Sequence, residues 1–404
     1  MTTDRNVPLG YLRTFLTLLV VAHHAVLAYH PYAPPPAPSL TTPPMLWQAF
    51  PIVDAHRAPG FDLLVGFNDT FFMSLMFLIS GLFAWPSLTR KGAGSFTRDR
   101  LLRLGLPFLL CAGVLAPLAY YPSYLQSGAR DGFWHEWLNI GGKWGGKWPA
   151  GPAWFLWVLL AFGCVAAAMY KLAPGWGDAL GRITGHLSAR PIAYFGALLG
   201  VSALVYLPMA AAFDPMNWVS FGPFVVQISR LLHYAVYFFA GAGLGAFGVG
   251  RGLLAADGKL ARRWPLWIAA SLGAFIVAII MFLVIISTLA KGGPTPLLSA
   301  FGNFTFALSC ACSSLACIAV FVRFARKGNR IGDSLGANAY GIYLYHYVCV
   351  TWLQLALLNA NLPGFVKGVL VFTGATLISW AVSAATRALP LALSRPPQTA
   401  PARG

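Results

Sequence analysis

Charge is what this sequence is short of. Only 10% of its residues are charged, and eleven of its 404 are acidic. Soluble domains carry roughly 25% charge, so a water-facing surface over a globular core is excluded. Eleven scattered carboxylates, with no HExxH run, give a metal site no basis, and no metal ligands are expected. There is no CxxC pair. Cys111, Cys164, Cys310, Cys312, Cys317 and Cys349 all fall in apolar runs and read as small hydrophobes rather than disulfides. A GxSxG nucleophile elbow is missing, so nothing calls for a covalent acyl-serine. Zinc-finger spacing, basic helices and RNA-binding strand motifs are absent too. Nucleic acid is therefore not an expected partner, despite a net charge of +17. No internal repeat is visible, which counts against an inverted-repeat transporter.

What the chain has in excess is apolar sequence. It is 58% hydrophobic, with 42 glycines and 29 prolines, residues that membrane helices tolerate better than soluble ones. A span needs about 20 mainly apolar residues. Ten are read, near 10–30, 68–86, 104–121, 152–170, 191–212, 230–249, 265–289, 297–322, 334–357 and 364–386. The first lacks a small-x-small cleavage site and is expected to stay as a membrane helix. Pro107 and Pro117 predict a kinked third span. With the N-terminus cytoplasmic, the inner connectors hold 20 Lys and Arg residues and the outer ones 6. That asymmetry is what the positive-inside rule asks for. The expected fold is therefore all-α, a polytopic membrane protein of about ten helices with both termini in the cytoplasm. Residues 1–390 form one membrane domain, and 391–404 a flexible tail. Two long outer connectors stand out. Residues 31–67 are too proline-rich for a helix. Residues 122–151 carry tryptophans suited to the headgroup level and read as a lid, a groove wall or an interfacial loop.

Polar residues inside the spans are the candidates for function, because they are costly there and normally face protein or water. Arg13 and His24, in "YLRTFLTLLVVAHHAVLAYH", are eleven residues apart. That is about 20° past three full turns, so they share a helix face about 16 Å apart along the axis. His24 lies too deep to reach the interface, whereas His23 points about 100° away and reads as packing. Arg100 and Arg103, in "TRDRLLRLGLPF", share a face at the cytoplasmic entrance to the third span. They read equally as a phosphate clamp or as topology anchors. The ninth span, "NAYGIYLYHYVCV", places His346 at a depth close to that of His24. Arg230 and His233 form a second patch, for which surface or structural roles are preferred. Asp54, Asp62 and Asp69 fall on the outer side or its boundary; loop solvation is the usual role there, and orienting a histidine or binding sugar hydroxyls is the alternative.

Five stretches in order carry a family pattern: Arg13 and His24 in the first span; "FFMSLMFLISGLF" with Ser80 and Gly81; "RLLRLGLPFLL" with Arg100, Arg103 and Pro107; "GPAWFLWVLL" through Trp154; and "AYGIYLYHYV" with His346. The chain resembles the integral-membrane acyltransferase-3 family, particularly its branch of glucan biosynthesis protein C, the periplasmic glucan succinyltransferases. The resemblance implies an O-acyltransferase of a bacterial cytoplasmic (inner) membrane. It would move an acetyl or succinyl group from acyl-CoA, as cosubstrate and not as a tightly bound cofactor, to a hydroxyl of a glycan or lipid-linked sugar. His24 would be the general base and His346 a second catalytic candidate. Arg13, Arg100 and Arg103 would hold the donor, and Ser80 and Tyr343 are candidates for contacts to the carbonyl or the acceptor. Membrane lipid is a further partner, and a homodimer is compatible with this picture. The competing reading is a small-molecule transporter with a polar midplane cavity.

Overall fold

A computed structural model describes residues 6–43, 45–140 and 148–393. The charge assignments at Arg5, Lys143, Lys147, Arg395 and Arg403, and most of the expected tail, lie outside the described residues. Helix α1 (Val7–Val26) opens where the Asn6 side chain accepts from Leu9 N at 3.1 Å, with Pro8 in the first turn. Both are ordinary start signals. Helix α2 is Phe61–Gly81, and α3 (Ala84–Arg100) is broken at Gly92, whose φ of 74° a side chain would resist. The chain continues through α4 (Leu106–Leu110) and α5 (Ala116–Gln126), separated by π turns at Leu101–Gly105 and Cys111–Leu115. Each π turn comes just before Pro107 or Pro117. A proline lacks the N–H and crowds the carbonyl four residues back, and a widened turn absorbs both effects.

After the short α6 (Phe133–Leu138) come α7 (Trp154–Leu172), α8 (Trp176–Ser188) and α9 (Pro191–Phe213). Strands β1 (Trp218–Phe221) and β2 (Phe224–Gln227) form an antiparallel hairpin that the all-helical expectation did not include. The remaining helices are α10 (Ile228–Phe247), α11 (Lys259–Arg262), α12 (Trp264–Leu289), α13 (Pro296–Phe324), α14 (Arg330–Ala356) and α15 (Gly364–Leu393).

Among the described residues, eight helical stretches are long and apolar enough to cross a membrane. The two other expected spans are α10 and α14. Both are long helices, but their apolar character is diluted by Arg230 and His233 in one and by the tyrosines and His346 in the other. Most of these polar residues are inside the bundle: Arg230, His233, Asn338, Tyr343, His346 and Tyr347 are buried, while Tyr340 is exposed. At the opposite extreme is α12, with mean hydropathy 2.9 and only 11% of its apolar window buried, as suits a helix packed on one neighbour and otherwise facing lipid.

Glycines set the tightest helix contact. A Cβ at Gly81 would lie 2.0 Å from the Phe238 carbonyl oxygen, and one at Gly241 would lie 1.9 Å from that of Leu78. Helices α2 and α10 thus touch backbone to backbone, as small residues allow in membranes. This contact brings the polar start of α10 against α2. Helix α1 lies among α2, α13, α14 and α15.

The two long connectors expected on the outer side cover one end of the bundle together. Gln126 exchanges hydrogen bonds with the backbone of Val53, and Glu136 accepts from Leu40 N at 2.9 Å. The first connector ends at residue 60 rather than 67. It is fixed beneath by a fully buried ion pair, Lys367 Nζ to Asp54 Oδ2 at 2.7 Å. Lys367 also donates to the Leu358 carbonyl and lies 3.3 Å from His56 Nδ1. Lys367 is one of the six charges expected in the outer connectors, and Asp54 is expected as a solvated loop residue. Both are interior, because Asp54 folds back to bond Ala28 at the end of α1. Breaking a buried pair costs about 3–5 kcal/mol, since it strands the other charge. Lys367→Met is accordingly expected to lower the thermal midpoint in detergent, and Asp54→Leu/Lys367→Met to recover most of the loss. An unchanged midpoint in the single variant would mean that the pair does not hold the cover.

Candidate active site

The polar side chains gather at two levels. The first is a cavity of about 290 Å³ lined by Arg13 of α1, Ser80 of α2, Lys91 and Asp99 of α3, then Arg100 and Arg103. Arg103 sits in the first π turn, and the Tyr340 hydroxyl donates to its carbonyl at 2.5 Å. The Arg100 guanidinium lies over the Phe96 ring, 5.0 Å from its centroid, and its stem runs beside Gly163 of α7, where no side chain intrudes. Lys91 is ion-paired with Asp99. Four cations and one carboxylate line this space, so its field favours an anion. The three arginines singled out from sequence thus share one cavity, and Ser80 is with them.

The second level is a histidine pair. His24 and His346 have ring centroids 5.5 Å apart, and the Tyr347 ring stands edge-on to His24 at 4.9 Å. Equal depth in two spans has become juxtaposition, because α1 and α14 pack along each other. His346 is completely buried, and its Nδ1 is 2.7 Å from the Tyr343 carbonyl oxygen. That oxygen can only accept, so the proton of the neutral ring belongs on Nδ1 and Nε2 keeps a lone pair. Nε2 has no partner, and neither has the buried Nδ1 of His24. His24 as a residue is only partly buried. A cavity of about 20 Å³ beside His346, lined also by Tyr343 and Tyr347, has room for one water.

Some candidates sit elsewhere than the chemistry imagined for them. Ser80 lines the basic cavity but not the small space at His346. The Tyr343 hydroxyl donates to the Pro152 carbonyl, which commits its proton. His23 stacks on Phe72 with centroids 5.4 Å apart, as a packing residue would. Trp154 packs against Tyr234 and Trp218. Among the described residues no group of three His, Cys, Asp or Glu side chains is arranged to hold a metal, and all six cysteines are free, with Cys164 exposed.

An aromatic ladder that the sequence does not reveal runs from the connector cover to the histidines. Trp47 meets Tyr120 at 5.2 Å, Tyr120 meets Tyr347 at 5.5 Å, and Tyr347 meets His24. The "GPAW" turn makes room for it: Gly151 has a φ of +55°, and a Cβ there would press on the Tyr347 ring at 3.1 Å. Nor does the sequence reveal the ion pair between Arg230 Nη2 and Asp69 Oδ2, at 2.8 Å. Of the surface or structural roles expected for Arg230, burial leaves the structural one, and Asp69, expected at the boundary of the second span, is about two turns inside α2. The signal was hidden because α2 begins at Phe61, a turn and a half or more before its apolar run becomes obvious.

Eight apolar helices among the described residues, a polar interior and a juxtaposed pair of histidines define a polytopic membrane protein with a candidate catalytic centre. A family model described as an acyltransferase domain matches residues 7–384, and the chain belongs to that acyltransferase-3 family. Neither the curated proteins nor the solved structures contain a match to this chain. Family membership supports catalysis by acyl transfer in general terms.

Proposed function

We propose that the protein transfers an acetyl or succinyl group from cytoplasmic acyl-CoA to a hydroxyl of a glycan or lipid-linked sugar, in a bacterial inner membrane. The observation that carries this reading is the separation of the two levels. A cation-lined cavity holds Arg13, and the histidine pair lies eleven residues further along the same helix, about 16 Å away. CoA has that shape: its phosphates are at one end and its thioester is at the tip of a long flexible arm. Arg13, Arg100 and Arg103 would hold the phosphates while the arm reaches His24.

In the reaction, a neutral His24 takes the proton of the acceptor hydroxyl as its oxygen attacks the thioester carbonyl. A tetrahedral oxyanion forms and needs hydrogen-bond donors. Its collapse breaks the C–S bond, and the CoA sulfur leaves with the proton that the histidine had taken. His346, with its tautomer fixed by a backbone carbonyl, is the second histidine in reach of this proton. The glucan succinyltransferase branch remains our preferred placement within the family, on the strength of the five ordered motifs.

The reading also carries an orientation. Ten membrane helices, α10 and α14 included, put both termini in the cytoplasm and the cover of residues 30–60 outside. Cysteines introduced at Ser39 and Ser127, in a background without native cysteines, are expected to react with an impermeant reagent in intact cells. Labelling only after permeabilisation would reverse the topology. The activity itself is tested by release of free CoA from acetyl-CoA or succinyl-CoA by purified protein. Release should depend on added glycan acceptor. Solute movement in proteoliposomes without thioester consumption would instead establish a transporter.

A further inference from the structure

The Asp69–Arg230 pair differs in kind from the ion pair under the connector cover. Lys367 and Asp54 are sealed on both sides, with side chains 0% and 1% exposed. In the membrane-spanning pair the Arg230 side chain is 5% exposed and that of Asp69 is 46% exposed. The cation is buried behind, and the carboxylate is only half-covered. Arg230 is held by the Asp69 carboxylate, by its backbone carbonyl at 3.4 Å and by the Phe306 ring, 4.4 Å from the centroid. Only Oδ2 of Asp69 is engaged by it.

Unpartnered polar atoms lie on this pair and on the residues next to it. Arg230 Nε, both amide atoms of the buried Asn68 and both ring nitrogens of the buried His233 have no hydrogen-bond partner. His233 lies against Phe306, the ring under Arg230, and beside Tyr234. Buried polar atoms are nearly always bonded to protein, water or ligand, so the orphans on Arg230 and His233, with those of Asn68 next to Asp69 in the chain, call for an occupant.

The position of the pair indicates which occupant. His23 stacks on Phe72, so Phe72 marks the level of the histidines on α2. Asp69 is three residues earlier, about 4.5 Å along the axis. The start of α2 adjoins the end of α1, where Ala58 N bonds the Tyr29 carbonyl. Asp69 is therefore displaced towards the covered end, whereas Arg13 lies about 15 Å from His23 in the other direction. The pair and the basic cavity flank the histidines on opposite sides.

We propose that Asp69, held by Arg230 and accompanied by Asn68 and His233, is a binding site for the hydroxyl groups of a sugar acceptor. A fixed carboxylate accepts from neighbouring hydroxyls, while the amide and imidazole can both donate and accept. The assignment rests on the transferase reading above and gives its acceptor a place.

The test uses the full chain in detergent with two probes. Cellohexaose stands for a free glycan, and a glucosyl diacylglycerol in mixed micelles stands for a lipid-linked sugar. Asp69→Asn keeps the shape and removes the charge. Asp69→Leu/Arg230→Met removes the pair without stranding either member, which buried pairs often tolerate. Both variants are expected to lose about tenfold or more in affinity for whichever sugar the wild type binds. Their CoA affinity should stay at the wild-type value. Unchanged sugar affinity in the folded double variant, or failure of the wild type to bind either probe, overturns the site. Asp69-dependent sugar binding without any CoA release would uphold the site and refute the transferase. CoA release with an unaltered sugar KM in the variants would do the reverse.

Discussion

His24→Gln is expected to cut acceptor-dependent CoA release by about 10²–10⁴-fold, the usual loss when a general base is removed. Glutamine preserves much of the size and hydrogen bonding of the ring but cannot carry the proton. The variant should still fold and bind CoA, because the basic cavity is about 16 Å away. His23→Gln is the internal control. That ring lies on Phe72, so its replacement should affect packing more than chemistry. Turnover has to be compared at matched amounts of folded protein. Near-normal turnover in His24→Gln would exclude it as the essential base and pass the role to His346. The unpartnered Nε2 of His346, whose ring is 5.5 Å from that of His24, is the atom that would then take the proton.

The second large effect is expected in donor binding. A hydrogen bond to a charged group contributes about 1.5–3 kcal/mol, which corresponds to a loss of about 10- to 140-fold in CoA affinity for each arginine removed. Arg100→Gln and Arg103→Gln should each show such a loss. Added salt should shrink it more for Arg103, which is exposed, than for the half-buried Arg100. Arg98→Gln, outside the cavity lining, should leave affinity unchanged. Equal CoA affinity in all three variants and the wild type would return Arg100 and Arg103 to the role of topology anchors. The two experiments are independent: the first removes turnover with binding intact, and the second removes binding first.

Much of the candidate site was legible in the sequence because it is written along single helices. A spacing of eleven puts Arg13 and His24 on one face whatever surrounds the helix. A spacing of three does the same for Arg100 and Arg103, and the π turn between α3 and α4 keeps both on the cavity wall. The equal depths of His24 and His346 followed from counting residues from the inner ends of two spans. Their meeting did not, since depth leaves the choice of neighbouring helix open. Helices α10 and α14 fall short as purely apolar spans for the reason that makes them informative: their polar faces are turned into the bundle, so composition dilutes the membrane signal where function concentrates.

By itself the sequence determined that the chain lives in a membrane, roughly where its helices run, and which face of each carries polar residues. Those properties follow from the cost of exposing backbone or charge to lipid and from the fixed pitch of a helix. Only the tertiary structure decided the partners. It put Lys367 under the connector cover, committed the Tyr343 hydroxyl to Pro152, brought His346 to His24 and set Arg230 against Asp69. Each of these contacts joins groups far apart in the chain. Which of several equally polar groups pair is fixed by how the helices pack, and that packing depends on backbone contacts such as Gly81 on Phe238, whose closeness no single segment specifies.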